Sequence, residues 1–561
     1  MPGPVPIFPW GGRHLRLAIY HGYELCGSGS NEYTRYLART LASLGHDVSL
    51  ICHEPNPAAF RFVSRATSYS VEGEPRLLFR RDGDGPGSVA LHQLPRTSCY
   101  PVYLEDKQRA GNVKAFPELT ATELDEYHAA GAAVVERALR DDRCELLHVN
   151  HLVYQPRIAL DACRRAGVPY YIVPHGSSIE YTVRRDPRYV DAARRAILGS
   201  TGLVWISPEV RDRVLGLFPD LRSEILDRSR SVGVGTDTSL FHPLAPNERP
   251  GAFSELVAAH ARGGKTAKQR SELRRLLDGG EIESVRRYRD AYDHKLPDDD
   301  LPAILDRIPP EDDLILFVGA LTCGKGVQSL IAAMPGILDR NPRAHLLIVG
   351  SGSYREVLEA LTHSLSSGNE DLFDRLVSAG RELERDAGSG PLEDLKIHAK
   401  NAANRKQMFG SKGRLSRHVH FIGRLDHARL RWLFPCCRLA IVPSIVKEAS
   451  PLVFYEALAN GVLPAGTYHS GLRDGLDELR PLLPGSVWER MKLPADPASR
   501  VAGIAECVTA LLGDDATAHL GSRLRRLAEQ RYDWQVVAAT LVEVVSWWAA
   551  GRHGWRGSSL G

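Results

Sequence analysis

The sequence predicts an α/β protein with two Rossmann-like, doubly wound domains. Two series of apolar strands alternate with segments of helical spacing, one from about residue 13 and one from Leu314. Strands such as "LRLAIY" and "LILFVGA" are nearly continuous apolar runs, which fits parallel sheets covered on both faces. Two such domains in sequence are expected to face a central cleft at the carboxyl ends of their strands.

Length and composition are typical of a soluble globular protein. The 561 residues suffice for two or three domains, and 43% are apolar and 25% charged. The net charge of +3 gives no reason to expect a nucleic-acid partner, and no window approaches the ~20 apolar residues of a transmembrane segment. Nine cysteines scattered through apolar segments predict free thiols and no cysteine-bound metal. We therefore expect a cytoplasmic protein.

The first domain is predicted over residues 13–243, after a disordered tail at 1–12. "LRLAIY" is a strand, "HGYELCGSGS" a loop, and "NEYTRYLARTLASLG" a helix that Asn31 caps and Gly45 ends. "HDVSLIC" returns as a strand, so these segments form a βαβ unit. The later apolar runs "CELLHVNH", "VPYYIVPHG" and "TGLVWIS" continue the sheet.

The second domain is predicted over residues 314–530. Its strands are "LILFVGA", "AHLLIVGSG", "HVHFIGRL" and "RLAIVPS". Two charge-rich stretches, 244–313 and about 364–416, are predicted as largely helical insertions, either with solvated faces or forming a partner or acceptor surface. The basic run 262–275 leaves a peripheral membrane contact open. Helices are expected at 531–561, and whether they cross back to the first domain is left open.

A phosphate-binding turn is predicted where the strand at Leu314 meets its helix. Residues 319–326 spell G-x-x-x-x-G-K-G, one residue short of a P-loop, which ends in Ser or Thr. Gly326 supplies no hydroxyl for Mg²⁺, and no Walker-B acidic strand is evident alongside. The turn therefore favours the diphosphate of a leaving group over a hydrolysable triphosphate, and no resident metal is expected.

The segment "KEASPLVFYEALANGVLP" carries two glutamates eight residues apart. Glu448 precedes a helix that opens at Pro451, and Glu456 lies two turns into it. Unpaired amides are expected at the helix N-terminus, at Ala449, Ser450 and Leu452. This set suits a ligand with both hydroxyls and phosphates. The alternative is a solvent-facing Glu448 and a surface ion pair at Glu456.

"PSIVKEASPLVFYEALANGVLP" resembles the E-x7-E segment of family 4 glycosyltransferases, which have the GT-B fold. Other segments are similar to that family in the same order: "CGSGSNEYTRYLARTLASLGHDVSLIC", "ELLHVNH", "YIVPHGS", "VGVGTDTSLFHP", "VGALTCGKGVQSLIAA", "HLLIVGSGSYRE" and "HVHFIGRLDHARLRWLFPCCRLAIVPS". The resemblance covers most of the chain outside the two insertions. It implies a retaining transfer of a sugar from a UDP- or GDP-type nucleotide-diphospho-sugar to a hydroxyl of a sugar, a lipid-linked acceptor or a small molecule, with no cofactor.

The resemblance also implies roles for particular residues. Glu448 would meet the sugar hydroxyls of the donor, Glu456 the ribose hydroxyls, and Lys325 the diphosphate, which gains negative charge as it leaves. His175 would lie near the reacting sugar, with a structural role as the alternative, and His151 is as well explained by packing as by an acceptor-side contact. Further donor contacts are implied at Gly27, Ser28, Gly29, Gly326, Arg424, Leu425, Ala449, Ser450, Pro451 and Leu452.

One position departs from the family pattern. The family usually has an arginine five residues before the lysine, and here that residue is Ala320. Without the guanidinium a bidentate phosphate contact is lost, so Arg424 or Arg405 fills the space, or the donor is held differently, or activity is weak. A GT-B phosphorylase, a nucleotide-sugar epimerase and a non-catalytic nucleotide-sugar-binding protein stay open as alternatives. The DxD sequence Asp82–Asp84 is interpreted as a turn.

Overall fold

A computed structural model of the chain describes residues 14–83, 85–103, 112–260, 266–288, 296–384, 388–410, 412–514, 517 and 519–549. The predicted tail at 1–12, the start of the basic run 262–275, Asp84 and the residues beyond 549 lie outside these ranges. The described residues separate into two compact units, one of residues 14–234 together with 534–549, and one within 235–533.

Eleven strands of the described chain belong to the first unit. They are β1 (Arg16–Tyr20), β2 (Asp47–Cys52), β3 (Arg65–Tyr69), β4 (Pro75–Arg80), β5 (Ser88–Gln93), β6 (Tyr100–Val102), β7 (Val113–Ala115), β8 (Leu146–Asn150), β9 (Tyr170–Val173), β10 (Gly202–Trp205) and β11 (Ser229–Ser231). Nine of them form one sheet in the order β11-β10-β9-β8-β1-β2-β5-β3-β4, and β6 pairs with β7. Every neighbouring pair is parallel except β3 and β4, so β4 is an antiparallel edge strand.

Helices flank this sheet. They are α1 (Gly29–Ser43), α2 (Ala121–Asp141), α3 (Gln155–Ala166), α4 (Gly176–Tyr181), α5 (Pro187–Gly199), α6 (Pro208–Leu217) and α7 (Arg222–Asp227). The prediction that Asn31 caps α1 is wrong, because the helix begins earlier and the Ser28 hydroxyl accepts the Asn31 N–H at 3.3 Å. The Asn31 side chain is buried instead, with Nδ2 donating to the Cys26 carbonyl at 2.6 Å.

The second unit has a six-stranded parallel sheet. Its strands are β12 (Asp313–Val318), β13 (Ala344–Val349), β14 (Val419–Phe421), β15 (Leu439–Val442), β16 (Leu463–Thr467) and β17 (Lys492–Leu493). Their order is β14-β13-β12-β15-β16-β17, the doubly wound order in which the chain direction across the sheet reverses beside the first strand. The reversal lies between β12 and β15, and loops at such a point form the ligand crevice of open α/β sheets.

The helices of the second unit are α8 (Arg249–Ala258), α9 (Thr266–Asp278), α10 (Glu283–Tyr288), α11 (Leu301–Asp306), α12 (Val327–Arg340), α13 (Arg355–Ser367), α14 (Glu370–Ala379), α15 (Glu393–Lys400), α16 (Ala402–Gly410), α17 (Leu415–His418), α18 (His427–Leu433), α19 (Leu452–Ala459), α20 (Ser470–Leu479), α21 (Gly485–Arg490), α22 (Pro497–Leu512) and α23 (Gly521–Leu527). A last helix, α24 (Trp534–Ala549), belongs to the first unit, where Trp534 stacks on Tyr36 of α1 with ring centroids 6.0 Å apart. Among the described helices, none is long and apolar enough to cross a membrane.

The first insertion is not simply a solvated helical face. Arg270 of α9 and Arg355 of α13 are both buried and share the carboxylate of Asp298, to which each has a 2.5 Å contact. Both also contact Glu359, at 3.3 Å and 3.0 Å. A buried charge without a partner is very costly, so these pairs fix the insertion against α13.

The nine cysteines, all within the described residues, are free thiols as predicted. Six of them are buried, and Cys26 is exposed in the loop before α1.

Candidate functional site

In the second unit the loops that follow β12 and β15 lie side by side, because these two strands are neighbours. The amides of Ile445 and Val446 donate to the Gly324 carbonyl at 2.8 and 3.0 Å. Gly326 ends the first loop with φ +72°, and a Cβ there would lie 2.0 Å from the Pro443 carbonyl oxygen. Only glycine permits this close approach, so the predicted phosphate turn is packed directly against the segment that carries Glu448.

These two loops bring Lys325 and Glu448 into contact. Lys325 Nζ lies 2.5 Å from Glu448 Oε1, and the Ser444 hydroxyl donates to the same oxygen at 2.7 Å. Burial alone raises the pKa of Glu448, but the charge of Lys325 and the hydrogen bonds from Lys325 and Ser444 outweigh it, so the net shift of the pKa is downward. Glu448 is therefore held as a carboxylate at neutral pH.

Glu456, the second glutamate of the motif, is 5% exposed. Its Oε1 lies 3.2 Å from Nε2 of His427, the first residue of α18. The pair is not on the surface, which excludes the surface ion pair considered from the sequence. The His427 ring packs edge-on against Phe241, with centroids 5.3 Å apart. The carboxylate of Glu456 is thus fixed in position beside the carboxyl end of the sheet.

The N-terminus of α19 offers backbone donors. The helix begins at Leu452, one residue later than predicted, with Pro451 as N-cap. Within the described ranges no group of the chain accepts the N–H of Ala449, Ser450 or Leu452. The Ser450 hydroxyl donates to the Tyr455 hydroxyl at 3.0 Å, which leaves the backbone amides available to a ligand.

Ala320, the position of the missing arginine, is exposed, and the two candidate replacements lie in different surroundings. Arg405 of α16 contacts Glu370 at 2.7 Å and Asp374 at 2.8 Å, both on α14, so its guanidinium is committed to those carboxylates. Arg424 is half-buried and forms no ion pair within the described chain. Its neighbours in the chain, Gly423 and Leu425, are both buried. Gly423 has φ +75°, and a Cβ at that position would lie 2.6 Å from the backbone nitrogen of Asp298.

In the first unit, the carboxyl ends of β1, β8 and β9 hold a cluster of buried histidines around Asn150. Asn150 Oδ1 lies 3.0 Å from Nε2 of both His148 and His175, and Nδ2 donates to the Thr34 hydroxyl at 2.8 Å. Because a carbonyl oxygen only accepts, both histidines carry their proton on Nε2. Burial lowers the pKa of His148 to about 4 and that of His175 to about 3. Both rings are neutral at physiological pH.

His151 differs from its neighbours. It is fully buried, has a left-handed backbone with φ +71°, and finds no hydrogen-bond partner for either ring nitrogen in the described chain. Its ring lies among those of His175, His21, Tyr23 and Tyr103, with centroids 4.9 to 5.4 Å away. Strained backbone and unpaired buried polar atoms are both costly, and they concentrate at functional sites.

The glycine loop before α1 is open to solvent. Gly27 has φ +107°, Gly27 to Gly29 are exposed, and a Cβ on Gly27 or Gly29 would meet nothing within 4 Å. Ser28 caps α1 through its side chain and its carbonyl. The first amides of this 15-residue helix therefore face a space that a ligand could enter.

Two glycosyltransferase families match this chain. The glycosyl transferase 4-like domain matches residues 28–223, and the glycosyl transferases group 1 domain matches residues 306–373. Over these two ranges the chain is similar to family 4 (GT4) glycosyltransferases.

Sequence relatives of this GT4-like chain align over part of their length. An uncharacterized glycosyltransferase of Methanocaldococcus jannaschii is 44% identical over 66 residues, 12% of this chain and 17% of that protein. The phosphatidyl-myo-inositol mannosyltransferase of Mycobacterium tuberculosis is 24% identical over 244 residues, 43% of this chain and 49% of that protein. The chain therefore spans at most about half the length of these relatives.

Solved structures confirm the predicted GT-B fold. Sucrose-phosphate synthase from Thermosynechococcus elongatus is 16% identical with a TM-score of 0.51, over 96% of this chain and 100% of that one. HepE of Anabaena, solved with UDP and glucose, is 13% identical with a TM-score of 0.52, over 95% and 100%. The catalytic domain of starch synthase IV from Arabidopsis thaliana is also 13% identical, with a TM-score of 0.52 over 96% and 100%.

Glu384 of this GT4-like chain is a residue beside the candidate site that no motif indicated. Its Oε2 accepts the Cys323 N–H at 3.0 Å, in the turn that carries Lys325, and its Oε1 lies 3.5 Å from the Ser353 hydroxyl. Burial raises the pKa of Glu384 to about 7. The residue comes from the second insertion, 61 positions from Cys323, so local sequence carried no signal for the contact.

Proposed function

We propose that this GT4-like chain transfers a sugar from a nucleotide-diphospho-sugar to a hydroxyl acceptor with retention of anomeric configuration. The observation that carries the proposal is the contact between Lys325 and Glu448 where the strand order of the second sheet reverses. A lysine there can neutralise the charge that the diphosphate gains as it leaves. A carboxylate beside it can accept hydrogen bonds from the sugar hydroxyls.

The Lys325 ammonium can hold Glu448 and a phosphate at the same time. It has three N–H donors, and Glu448 takes one of them. On Glu448, Oε1 accepts from both Lys325 and Ser444, which leaves Oε2 for a hydroxyl of the sugar. In our proposal Glu448 binds the sugar and also keeps Lys325 aimed at the diphosphate.

Other groups of the second unit complete the proposed donor site. Glu456, held by His427, would accept from the ribose hydroxyls. The unpaired amides at the start of α19 would donate to the phosphates, together with the partial positive charge of the helix N-terminus. Arg424 and Leu425 would lie beside the base, for which we propose uracil or guanine.

The proposed acceptor side is the histidine cluster of the first unit. His175 is neutral, so it can hydrogen-bond a sugar hydroxyl without placing a second charge beside the reacting carbon. His151 has two ring nitrogens without a partner in the described chain, and a hydroxyl ligand could satisfy them. The acceptor hydroxyl would add to the anomeric carbon from the face that the diphosphate leaves, and its proton would pass to the departing β-phosphate.

The names of the similar proteins give information only about the class of substrate. HepE was solved with UDP and glucose, and the mycobacterial relative is named for mannosyl transfer to phosphatidyl-myo-inositol. These substrates are those of the similar proteins. They support a nucleotide-sugar donor, of the UDP type in the case of HepE, and a hydroxyl acceptor for this chain.

The test uses the purified full chain with UDP-, GDP- and ADP-sugars. A thermal-shift screen identifies the donor, because a ligand that binds the folded state raises its stability by mass action. Nucleoside diphosphate release then measures turnover, and NMR of the product gives its anomeric configuration. The proposal predicts that one donor both stabilises the protein and is consumed with retention. An inverted product, or no stabilisation by any nucleotide sugar, contradicts it.

Ala320 favours a second candidate, a nucleotide-sugar-binding protein without turnover. Arg405 is committed to α14, and Ala320 itself has no side chain that could donate to a phosphate. In that case a nucleotide sugar still raises the unfolding temperature, but no nucleoside diphosphate is released with any acceptor. The same two measurements therefore separate the two candidates.

A further inference from the structure

A polar cavity lies in the first unit, at the edge of the sheet opposite the histidine cluster. Its volume is about 390 Å³, within the ~300–1,000 Å³ range of small-molecule sites. It is formed at the beginnings of β1, β2, β3 and β5, where the antiparallel β4 ends. The lining reaches Ser49, three residues before the end of β2 at Cys52, so about 10 Å of strand separates the cavity from the carboxyl ends of the sheet. The cavity is thus distinct from the proposed acceptor site.

The register of the sheet explains the shape of the cavity. Across one row of side chains, Ser49 is opposite Ala90, Ala90 is opposite Arg65, and Arg65 is opposite Arg80. Ser49 and Ala90 are small, so the centre of the row stays open, while the long arginines stand at one side. Arg16, on β1, borders the cavity from the other side.

The arginines of this cavity are only partly neutralised. Arg65 forms an ion pair with Asp142, which also accepts from the Ser49 hydroxyl at 2.6 Å and contacts His92 Nε2 at 2.7 Å. Burial raises the pKa of Asp142, but the hydrogen bonds and charge of His92, with Ser49 and Arg65, lower it further, so Asp142 stays ionised. Arg80 is the directly opposite neighbour of Arg65, and like charges in such a pair destabilise a sheet.

Three further guanidinium groups border the cavity, and none has a carboxylate partner among the described residues. Arg81 donates to the carbonyl oxygens of Val63 at 2.7 Å, of Ala58 at 3.3 Å and of Phe60, which satisfy its hydrogens but leave its charge uncancelled. Within the described part of the chain, neither Arg16 nor Arg80 forms a side-chain ion pair.

Two aspartates also line the cavity. Asp47 accepts from the Ser88 hydroxyl at 2.5 Å and contacts His14 at 3.1 Å, while Asp82, the first residue of the DxD sequence, is exposed. Because Asp142 offsets Arg65, the remaining three arginines exceed these two acids, so the described residues of the lining carry a net positive charge.

We propose that this cavity binds a phosphate-bearing anion. Guanidinium groups match the geometry of phosphate oxygens and bind them through paired hydrogen bonds. Arg16 and Arg80 approach from opposite sides of the cavity. An anion between Arg16 and Arg80 would pair with two guanidinium charges that no described carboxylate neutralises.

The phosphate group that this cavity would bind could belong to two kinds of molecule. One is a soluble phosphate ester that fills the cavity. The other is the head group of a phospholipid, whose acyl region could meet Leu77 and Leu78 of β4, which are 60% and 41% exposed. The experiment therefore has a soluble arm and a membrane arm, and it uses the full chain in both.

The soluble arm measures equilibrium dialysis of glycerol 3-phosphate at constant ionic strength. The membrane arm measures sedimentation with vesicles of phosphatidylcholine alone or mixed with phosphatidic acid. The test variant is Arg16→Gln with Arg80→Gln. The control is Arg61→Gln with Arg76→Gln, which removes the same charge from two exposed positions of the same unit outside the cavity lining.

The proposal predicts that the wild type and the control bind at least one probe with similar affinity. The cavity variant binds that probe roughly 10-fold or more weakly, since each charge-assisted hydrogen bond contributes a factor of about that size. The arm that shows the difference identifies the source of the phosphate. If neither probe binds the wild type, or if the two double variants bind alike, the proposal is wrong. Arg80→Gln alone, at an exposed position, replaces the double variant if that one does not fold.

Discussion

Lys325 and Glu448 are 123 residues apart in the chain, yet Nζ of one lies 2.5 Å from Oε1 of the other. Their pairing depends on the neighbouring positions of β12 and β15, and on Gly326, which lets the two loops touch. The contact between Lys325 and Glu448 joins the predicted phosphate turn to the first glutamate of the E-x7-E segment. It is therefore the place where the proposed donor chemistry is best tested.

Replacing Lys325 should impair turnover much more than folding. Lys325→Met removes the cation that would meet the developing charge of the diphosphate, so we expect kcat to fall by roughly 10²–10³-fold, the usual loss when one transition-state donor is removed. Lys396→Met, at a lysine on α15 with 45% of its side chain exposed, is the control and should keep wild-type kcat. Steady-state kinetics with the selected donor measure both. Equal kcat in the two variants would contradict the donor assignment.

Glu384 should make stability depend on pH near neutrality. Burial raises the pKa of Glu384 to about 7 in the folded state, above its ordinary value. The folded protein then favours the protonated carboxyl, so this contribution is complete below the unfolded pKa and is lost as pH rises through about 7. Relative to Glu384→Gln, the wild type should lose up to about 3 kcal/mol of unfolding free energy between pH 5 and pH 9.

Urea denaturation at pH 5, 7 and 9 measures this difference. Glu382→Gln, two residues away at a glutamate with 54% of its side chain exposed, is the matched control. Its unfolding free energy should follow the wild type at all three pH values. Parallel curves for the wild type and Glu384→Gln would show that the carboxyl does not titrate in this range.

The two sheets were predictable because their signals are local. Apolar runs at the strands and amphipathic spacing at the helices identified β1, β2, β8 to β10 and β12 to β15 within a few residues. The segment from 65 to 93 was not predicted as strands. Its β4, with the sequence "PRLLFR", is an edge strand with most residues exposed, so neither alternation nor a continuous buried run marks it.

The rest of the candidate site depends on contacts that sequence cannot encode locally. Ser28 and Asn31 are equally good N-cap residues, and the choice between them follows from the burial of Asn31 against Cys26 and His21. Glu384 likewise meets Cys323 only through the packing of a distant insertion. Residues placed by such long-range contacts need the folded structure to be found.

The buried ionic cluster of the first insertion should be essential for stability. Arg355→Met leaves the carboxylates of Asp298 and Glu359 with one shared cation, Arg270, and removing one partner of a buried pair costs about 3–5 kcal/mol. Urea denaturation at neutral pH measures the loss. Arg375→Met, on α14 and 40% exposed, should change the unfolding free energy by less than about 1 kcal/mol. A similar small effect for Arg355→Met would show that the cluster contributes little.

Two variants in the histidine cluster should distinguish a residue that binds the acceptor from one that only packs. His151 has two ring nitrogens that no described residue pairs with, and a left-handed backbone that asparagine tolerates well. We expect His151→Asn to keep an unfolding temperature near that of the wild type and to raise the KM for the acceptor about 10-fold, the value of one lost hydrogen bond to a ligand.

His148→Asn should instead lower the unfolding free energy by about 1–3 kcal/mol, because it leaves the Tyr171 hydroxyl and Asn150 buried without their partner. Thermal denaturation and acceptor kinetics of both variants show whether His151 binds the acceptor. If His151→Asn lowers stability and leaves the acceptor KM unchanged, His151 is a packing residue, and the proposed acceptor site loses its main support.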